Sequence, residues 1–324
     1  MPGFRTAFSL LLLFLFSAFT HLSTAQSSLP RFHVQRDFKA NQSFFLNDTL
    51  PNKKRSRWIA GMAGGGYGLA ALYMGTAWYG QEELSSFHFF DDSHEWKQID
   101  KFGHLLGSYT GSRWMIDLFR WSGMPKRKAI LIGSTSGFLA MSSIEVFDGF
   151  GENWGFSWSD VGANFLGASL AAVNQLAWNE NRLQLKVSYH RSAYTGTDNP
   201  DFNRLFGNNF AEWVLKDYNG HNLWLSIRVH DFLPESAFKD RFPPWLNLAV
   251  GYGAEGLEGG YDDPMSNWRT REYRQLYLSL DIDPTHIKTR SGFLNALFRT
   301  VNLFRIPLPA IRFDRQGVAL RPWE

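Results

Sequence analysis

Long apolar runs separated by polar loops fill the first half of the chain and predict four helices. The predicted helices cover residues 58–80, 100–120, 129–147 and 159–178. The first run contains no charged residue and is long enough to cross a bilayer. Because polar loops join consecutive helices, neighbouring helices are expected to be antiparallel. The pattern predicts a four-helix antiparallel bundle over residues 57–180, either packed in water or associated with a membrane.

Apolar and polar residues alternate with period two in the second half of the chain, which is typical of strands. Four alternating segments and a final extended segment cover residues 183–193, 222–232, 245–254, 271–283 and 306–314. A short amphipathic helix is predicted at residues 291–304. The fold class is therefore α+β, with a β-rich C-terminal module over residues 181–324. The predicted strands are too few for an eight-stranded barrel.

The N-terminal segment has the features of a secretory signal, namely a basic residue at Arg5, an apolar run and a small-residue site that ends at Ala25. We predict a signal peptide over residues 1–25, with an uncleaved anchor as the alternative. Residues 26–56 are polar and without a sustained period, which predicts a linker. The chain is therefore expected to be exported.

The composition excludes some classes of binding partner and some kinds of functional site. The 324 residues include 33 basic and 30 acidic ones, with a net charge of +3, and the basic residues are spread out, so nucleic acid is not an expected partner. The absence of cysteine excludes disulfides, thiolate metal sites, a Cys nucleophile and a lipid anchor on Cys. The 13 Trp, 29 Phe and 11 Tyr suit either a membrane-interface belt or buried anchors.

Polar residues at several predicted helix ends are expected to meet at one end of the bundle. In an antiparallel bundle the start of the second helix, the end of the third and the start of the fourth lie on the same side. Residues four apart on a helix also share a face. The predicted cluster consists of Asp100, Lys101, His104, Glu145, Asp148, Asp160 and Asn164.

A histidine among several carboxylates can perform acid–base chemistry or bind a divalent metal ion. In an enzyme, Lys101 would neutralise a substrate phosphate. A divalent metal is accordingly the cofactor to consider. The candidate metal ligands are His104, Asp100, Glu145 and Asp160.

Each residue of the cluster also has a structural interpretation. Asp100 and Asp160 lie where helix N-caps are found. Lys101 could pair with Glu145 or with an acid of the preceding loop, and His104 could be a core histidine. The loop acids are expected to be solvated, namely Asp91, Asp92 and Glu95.

Three sequence blocks in the helical half carry a family resemblance. The blocks are "DKFGH", "SIEVFD" and "GFSWSD", the last followed by "AN" and "LGA". In this order they resemble the uncharacterised YfiM-like family of predicted periplasmic lipoproteins, and more distantly they are similar to VanZ-like membrane proteins. The resemblance covers about residues 100–177 and implies an envelope location. Its polar positions fall on the seven residues of the predicted cluster, and it implies no established activity.

The sequence therefore leaves three functions open for an exported envelope protein. The first is a structural or interaction role at a bacterial membrane. The alternatives are a hydrolase or transferase acting on an envelope lipid or glycan, and a protein that binds a lipid or small ligand.

Basic clusters at residues 53–57 and 125–128 would violate the positive-inside rule in the inner membrane. We expect the periplasm or outer membrane of a Gram-negative bacterium, a membrane lipid or envelope component as partner, and a multi-pass inner-membrane protein as the alternative.

Overall fold

A computed structural model describes residues 52–77, 84–260, 272–287 and 289–324. The predicted signal peptide and most of the predicted linker lie outside the described residues. A helical N-terminal region is followed by an antiparallel sheet, so the predicted α+β class is confirmed.

The four predicted helices of the first half are present with shifted ends. The first begins at Lys53, inside the predicted linker, and the last continues as a π-helical turn over Asn174–Trp178. The helices are α1 (Lys53–Ala77), α2 (Ile99–Trp121), α3 (Lys126–Asp148) and α4 (Trp158–Val173). In the described part of the chain, α3 is the one helix whose length and composition would allow it to cross a membrane.

Glycines let α2, α3 and α4 pack closely. A Cβ added at Gly133 or Gly137 of α3 would overlap the backbone of α2, and one added at Gly167 of α4 would overlap the Leu105 carbonyl of α2. The glycines of α1 behave differently. A Cβ added at any of five α1 glycines, at positions 61, 64, 65, 66 and 68, would meet no atom within 4 Å among the described residues.

Helix α1 is attached to this three-helix core mainly near its first turns. Ile59 packs in an apolar cluster with Phe119 and Ala129. The Ser56 hydroxyl donates a hydrogen bond to Ser122 Oγ at 3.0 Å. The bundle is therefore a close α2–α4 core with α1 added at one side, rather than four equally packed helices.

The sheet contains six strands whose spatial order follows the sequence, and every neighbouring pair is antiparallel. Four of them lie in the predicted alternating segments, one lies in the final extended segment, and β6 was not predicted. The strands are β1 (Leu183–Tyr189), β2 (His221–Ile227), β3 (Leu246–Glu255), β4 (Tyr273–Ile282), β5 (Ala310–Asp314) and β6 (Gly317–Arg321).

Short helices connect the strands. The last of them, α8, lies within the predicted amphipathic segment at residues 291–304, whereas the other three were not predicted because each is short. Their bounds are α5 (Pro200–Phe206), α6 (Phe210–Lys216), α7 (Ala237–Arg241) and α8 (Gly292–Val301).

The bundle packs against the first strands of the sheet. Leu185 of β1 contacts the apolar core that contains Tyr109 of α2. At the other end of the strands, the start of α2 meets β3, where the rings of Phe102 and Tyr252 lie 4.7 Å apart. This contact places the first turn of α2 beside the short 3₁₀ turn Tyr218–Gly220 that precedes β2.

We expect two glycine substitutions in α4 to have opposite effects on stability. Gly167→Ala should lower the free energy of unfolding by about 1–3 kcal/mol, because the added methyl group overlaps α2. Gly162→Ala, the matched control in open space, should raise it by about 0.5–1 kcal/mol through helix propensity. Thermal unfolding of the purified full chain checks both. Equal effects would contradict the close α2–α4 contact.

Candidate functional site

The structure brings all seven predicted polar residues to one end of the bundle. They lie in the first turns of α2, the last turn of α3 and the first turns of α4. Helix α2 begins after three consecutive residues with left-handed backbone, Trp96, Lys97 and Gln98, whose φ angles are 49°, 49° and 68°. Left-handed backbone is unfavourable for residues other than glycine, so this turn must be held by its surroundings.

Lys101 forms the centre of the cluster. Its Nζ lies 2.7 Å from Asp92 Oδ2, 3.1 Å from Asp100 Oδ2 and 3.1 Å from Asp160 Oδ1. Burial alone would lower the pKa of Lys101, but these three carboxylates outweigh it and raise the pKa above its usual value. Lys101 therefore pairs with a loop acid, as one interpretation predicted, and not with Glu145.

Asp92 belongs to this site, so the prediction that it is solvated was wrong. Its Oδ1 accepts hydrogen bonds from the hydroxyls of Ser157 at 2.6 Å and Ser159 at 2.8 Å. Burial alone would raise the pKa of Asp92, but its hydrogen bonds and the ammonium of Lys101 lower that pKa to about 2. Asp92 is therefore an ionised member of the cluster.

The structure also corrects the two predicted N-caps. Ser157 caps α4, because its Oγ accepts a hydrogen bond from the Asp160 N–H at 3.1 Å. Gln98 occupies the cap position of α2 without a side-chain cap bond, so Asp100 is inside the helix. The carboxylates of Asp100 and Asp160 are thus available to Lys101 instead of to helix termini.

The second half of the cluster consists of His104, Glu145 and Asn164. His104 Nδ1 lies 3.4 Å from Glu145 Oε1, and neither atom has a hydrogen-bond partner in the described part of the chain. The Asn164 side chain is fully buried, and both atoms of its amide likewise have no partner among the described residues. Glu145 is 1% exposed and accepts one bond from the Ser157 N–H at 3.3 Å.

Burial in this half favours the uncharged forms of its ionisable groups. Burial, reinforced by Asp160, Asp148 and Asp100, raises the pKa of Glu145 to about 9. In the half around Lys101, burial and Asp100 likewise raise the pKa of Asp160 to about 8, despite the nearby ammonium. Burial lowers the pKa of His104, although the nearby Asp100 opposes this effect. His104 and Glu145 are therefore neutral at pH 7.

The sheet module contributes one side chain that was not predicted. The Tyr218 hydroxyl donates a hydrogen bond to Asp100 Oδ1 at 2.9 Å. Asp148 lies further out, half-buried, and acts on Glu145 through its charge. Tyr218 is distant from the helices in the sequence and belongs to no recognisable motif, so nothing in the sequence indicated its role.

Three of the four predicted metal ligands lie close enough together to share a cation. One ligand atom from each of Asp100, His104 and Asp160 can be chosen so that all lie within 4.8 Å of one another. Two carboxylates and an imidazole suit a divalent metal such as zinc. However, the ammonium of Lys101 already contacts both acidic side chains, so a metal ion would have to compete with Lys101 for them.

The comparisons with known proteins concern the helical half. Residues 88–176 match the family described as "Predicted periplasmic lipoprotein (DUF2279)". This family has no known function. The segment matched by DUF2279 includes Asp92 and all seven predicted residues and leaves the sheet outside. No curated protein and no solved structure matches the chain.

The family that the helical segment resembles is described as a predicted periplasmic one, which is consistent with the predicted export. The sequence itself contains no cysteine, the residue that carries the lipid of a lipoprotein. The likeness to YfiM-like and VanZ-like proteins stays a prediction.

The contribution of Glu145 and Asp160 to the free energy of unfolding is expected to fall as the pH rises from about 5 to about 9. The folded-state pKa values of Glu145 and Asp160, about 9 and about 8, exceed the ordinary values of 4.5 and 3.8. The native state therefore holds protons that the unfolded state has released, and this stabilisation is lost as the pH passes the raised pKa values. Chemical unfolding of the full chain across this pH range measures the slope.

Glu145→Gln should flatten this pH dependence, because a neutral amide replaces the protonated carboxyl at every pH. Glu152→Gln in the neighbouring loop makes the same substitution at an exposed position and serves as the control. The explanation would be refuted if both variants kept the slope of the natural sequence, or if both lost it.

Proposed function

We propose that this protein is a membrane-associated structural or interaction protein of the Gram-negative cell envelope, in which the polar cluster joins the helical bundle to the sheet module. The observation that carries the proposal is the bonding of Lys101 to carboxylates of the preceding loop, α2 and α4. Asp100, one of these partners, also accepts the hydrogen bond from Tyr218 of the sheet module. One cation thereby links four parts of the chain.

Apolar side chains on the outside of the bundle support membrane association. On α3, Leu131 and Leu139 are exposed, and on α4, Phe165 and Leu166 are exposed. Contiguous exposed apolar surface is characteristic of contact with a protein partner or a membrane. The basic residues near the starts of α1 and α3 favour the periplasmic side of the outer membrane over insertion in the inner membrane.

Membrane association is tested by fractionating envelopes that contain the full chain and extracting the fractions with alkaline carbonate. We expect recovery with the outer membrane. Recovery in the carbonate-resistant inner-membrane pellet would contradict our proposed location and favour the multi-pass alternative.

A second candidate function is an envelope hydrolase or transferase acting on a lipid or glycan. It is favoured by the buried polar atoms of His104, Glu145 and Asn164 that have no partner in the described residues. In this function His104 would be an acid–base group or metal ligand, and Lys101 would neutralise a phosphate. A third candidate, lipid or small-ligand binding, is favoured by a hollow at the opposite end of the sheet, lined by Pro244, Trp245, Ile282, His286 and Ile287.

Lys101→Met should destabilise the protein strongly. The substitution leaves the partly or fully buried side chains of Asp92, Asp100 and Asp160 without the ammonium that contacts them, which we expect to lower the free energy of unfolding by about 3–5 kcal/mol. Lys128→Met, at an exposed position in the first turn of α3, should change it by less than about 0.5 kcal/mol. Adding Asp160→Asn to Lys101→Met should restore part of the loss. An unchanged melting temperature for Lys101→Met would refute the proposed linking role.

His104→Ala and Glu145→Gln distinguish the structural role from chemistry. If the cluster is structural, any loss of envelope integrity in cells should follow a loss of thermal stability in the purified protein. Loss of envelope integrity with unchanged melting temperature would contradict the structural role. Zinc or manganese bound to the purified natural chain and absent from both variants would favour the second candidate.

A further inference from the structure

The inner face of the sheet combines a network of polar side chains with an apolar cluster that includes Trp224 and Ala249. Cross-strand register places Lys186 opposite Trp224, Ser226 opposite Ala249 and Asn247 opposite Asp281, so these residues project from the same side of the sheet. All of them are buried. The inner face therefore carries charged, amide and hydroxyl groups at positions where a sheet in water normally carries apolar ones.

The polar groups of the inner face bind one another. Lys186 Nζ lies 2.7 Å from Asp281 Oδ2, and both side chains are completely buried. The Ser226 hydroxyl donates to the same carboxylate oxygen at 2.6 Å, and the Asn247 amide donates to Ser226 Oγ at 2.9 Å. Because a side chain buried without partners would be costly, this network determines which face of the sheet turns inward.

The opposite face is apolar and exposed over most of β3, β4, β5 and β6, whereas Tyr252 near the end of β3 is covered by Phe102 of α2. The register pairs Leu278 with Val250 and Ile311, and Leu320 with Ile311, so a continuous apolar surface crosses the four strands. Val318 and Leu320 at the last strand are 70% and 73% exposed. The exposed outer positions are Leu248, Val250, Leu276, Leu278, Leu280, Ile311, Phe313, Val318 and Leu320.

A sheet with polar side chains buried and apolar side chains outside is unfavourable when the outer face meets water and favourable when it meets hydrocarbon. Side chains alternate between faces, so turning the apolar residues inward would also expose the buried ion pair. Apolar residues outside and polar residues inside is the pattern of strands that face lipid. Two exposed tryptophans, Trp245 before β3 and Trp323 after β6, lie at the same end of the sheet, as expected for a membrane–water boundary.

We propose that the outer face of β3–β6 contacts the acyl chains of the envelope membrane. The inference rests on the proposed membrane association and names lipid as the partner of the sheet module. The outer side of β1 is already covered by the bundle, where Leu185 packs beside Tyr109. The proposed lipid-facing surface therefore consists of the part of the outer face that the helical bundle does not cover.

Single cysteines test the proposal directly, because the chain contains none of its own. Leu278→Cys and Leu320→Cys place a fluorescent label on the outer face, and Asp198→Cys places it in an exposed loop as the control. Each full-length variant is reconstituted with vesicles of phosphatidylethanolamine and phosphatidylglycerol. We then compare how strongly the fluorescence of each label is quenched by nitroxide groups on the acyl chains and by iodide in the water.

We expect acyl-chain nitroxides to quench both sheet labels, with blue-shifted emission, and iodide to quench only the loop label. If the protein floats with the vesicles while iodide quenches the sheet labels, the inference fails and the proposed membrane association stands. If the protein does not float with the vesicles, both the lipid contact of the sheet and the proposed membrane association are contradicted. Shielding of the sheet labels from both quenchers, together with disulfide cross-linking between unlabelled cysteine variants, would overturn the inference in favour of a second copy on this face.

Discussion

The ammonium group of Lys101 holds together the end of the bundle where α2 meets the sheet module. It contacts Asp92 of a loop, Asp100 of its own helix and Asp160 of α4, and without it the ionised Asp92 would lie in a poorly hydrated site with no cation to balance it. Close helix packing makes these contacts possible. Asp160 and Gly167 lie two turns apart on the same face of α4. Because Gly167 lets this face approach α2 at Leu105, Asp160 comes within reach of Lys101, one turn before Leu105 on α2.

The cluster contains two electrostatically different halves. The half around Lys101 is charged and well hydrogen-bonded, with Asp92 held ionised by the serines at the start of α4. The half around Glu145 and His104 is buried and neutral at pH 7. The charged half accounts for the linking role that we propose. The neutral half gives the same structure a sensitivity to protons, because its groups have raised or lowered pKa values through burial.

The sheet module has the opposite distribution of polar and apolar side chains. In the bundle a polar cluster lies at one end of an apolar core, whereas in the sheet a polar network shares the buried face with Trp224 and Tyr277, and apolar side chains cover much of the outside. A polar core is stable only when its groups satisfy one another. An apolar exterior is stable only when water is absent from it. Both halves of the chain thereby support the proposed location at a membrane with a polar, hydrated region beside it.

The periodicity of the sequence determined the α+β class, the approximate helix ends and the alternating strands, because each depends on neighbouring residues alone. Antiparallel connectivity also brought Asp100, His104, Glu145 and Asp160 to one end of the bundle. Only the tertiary structure decided the partners of Lys101, since Asp92 and Tyr218 reach the site through loop and sheet packing. Alternation likewise defines two faces of a strand without saying which is inside. The buried network of Lys186 and Asp281, on strands separated by two others, made that choice.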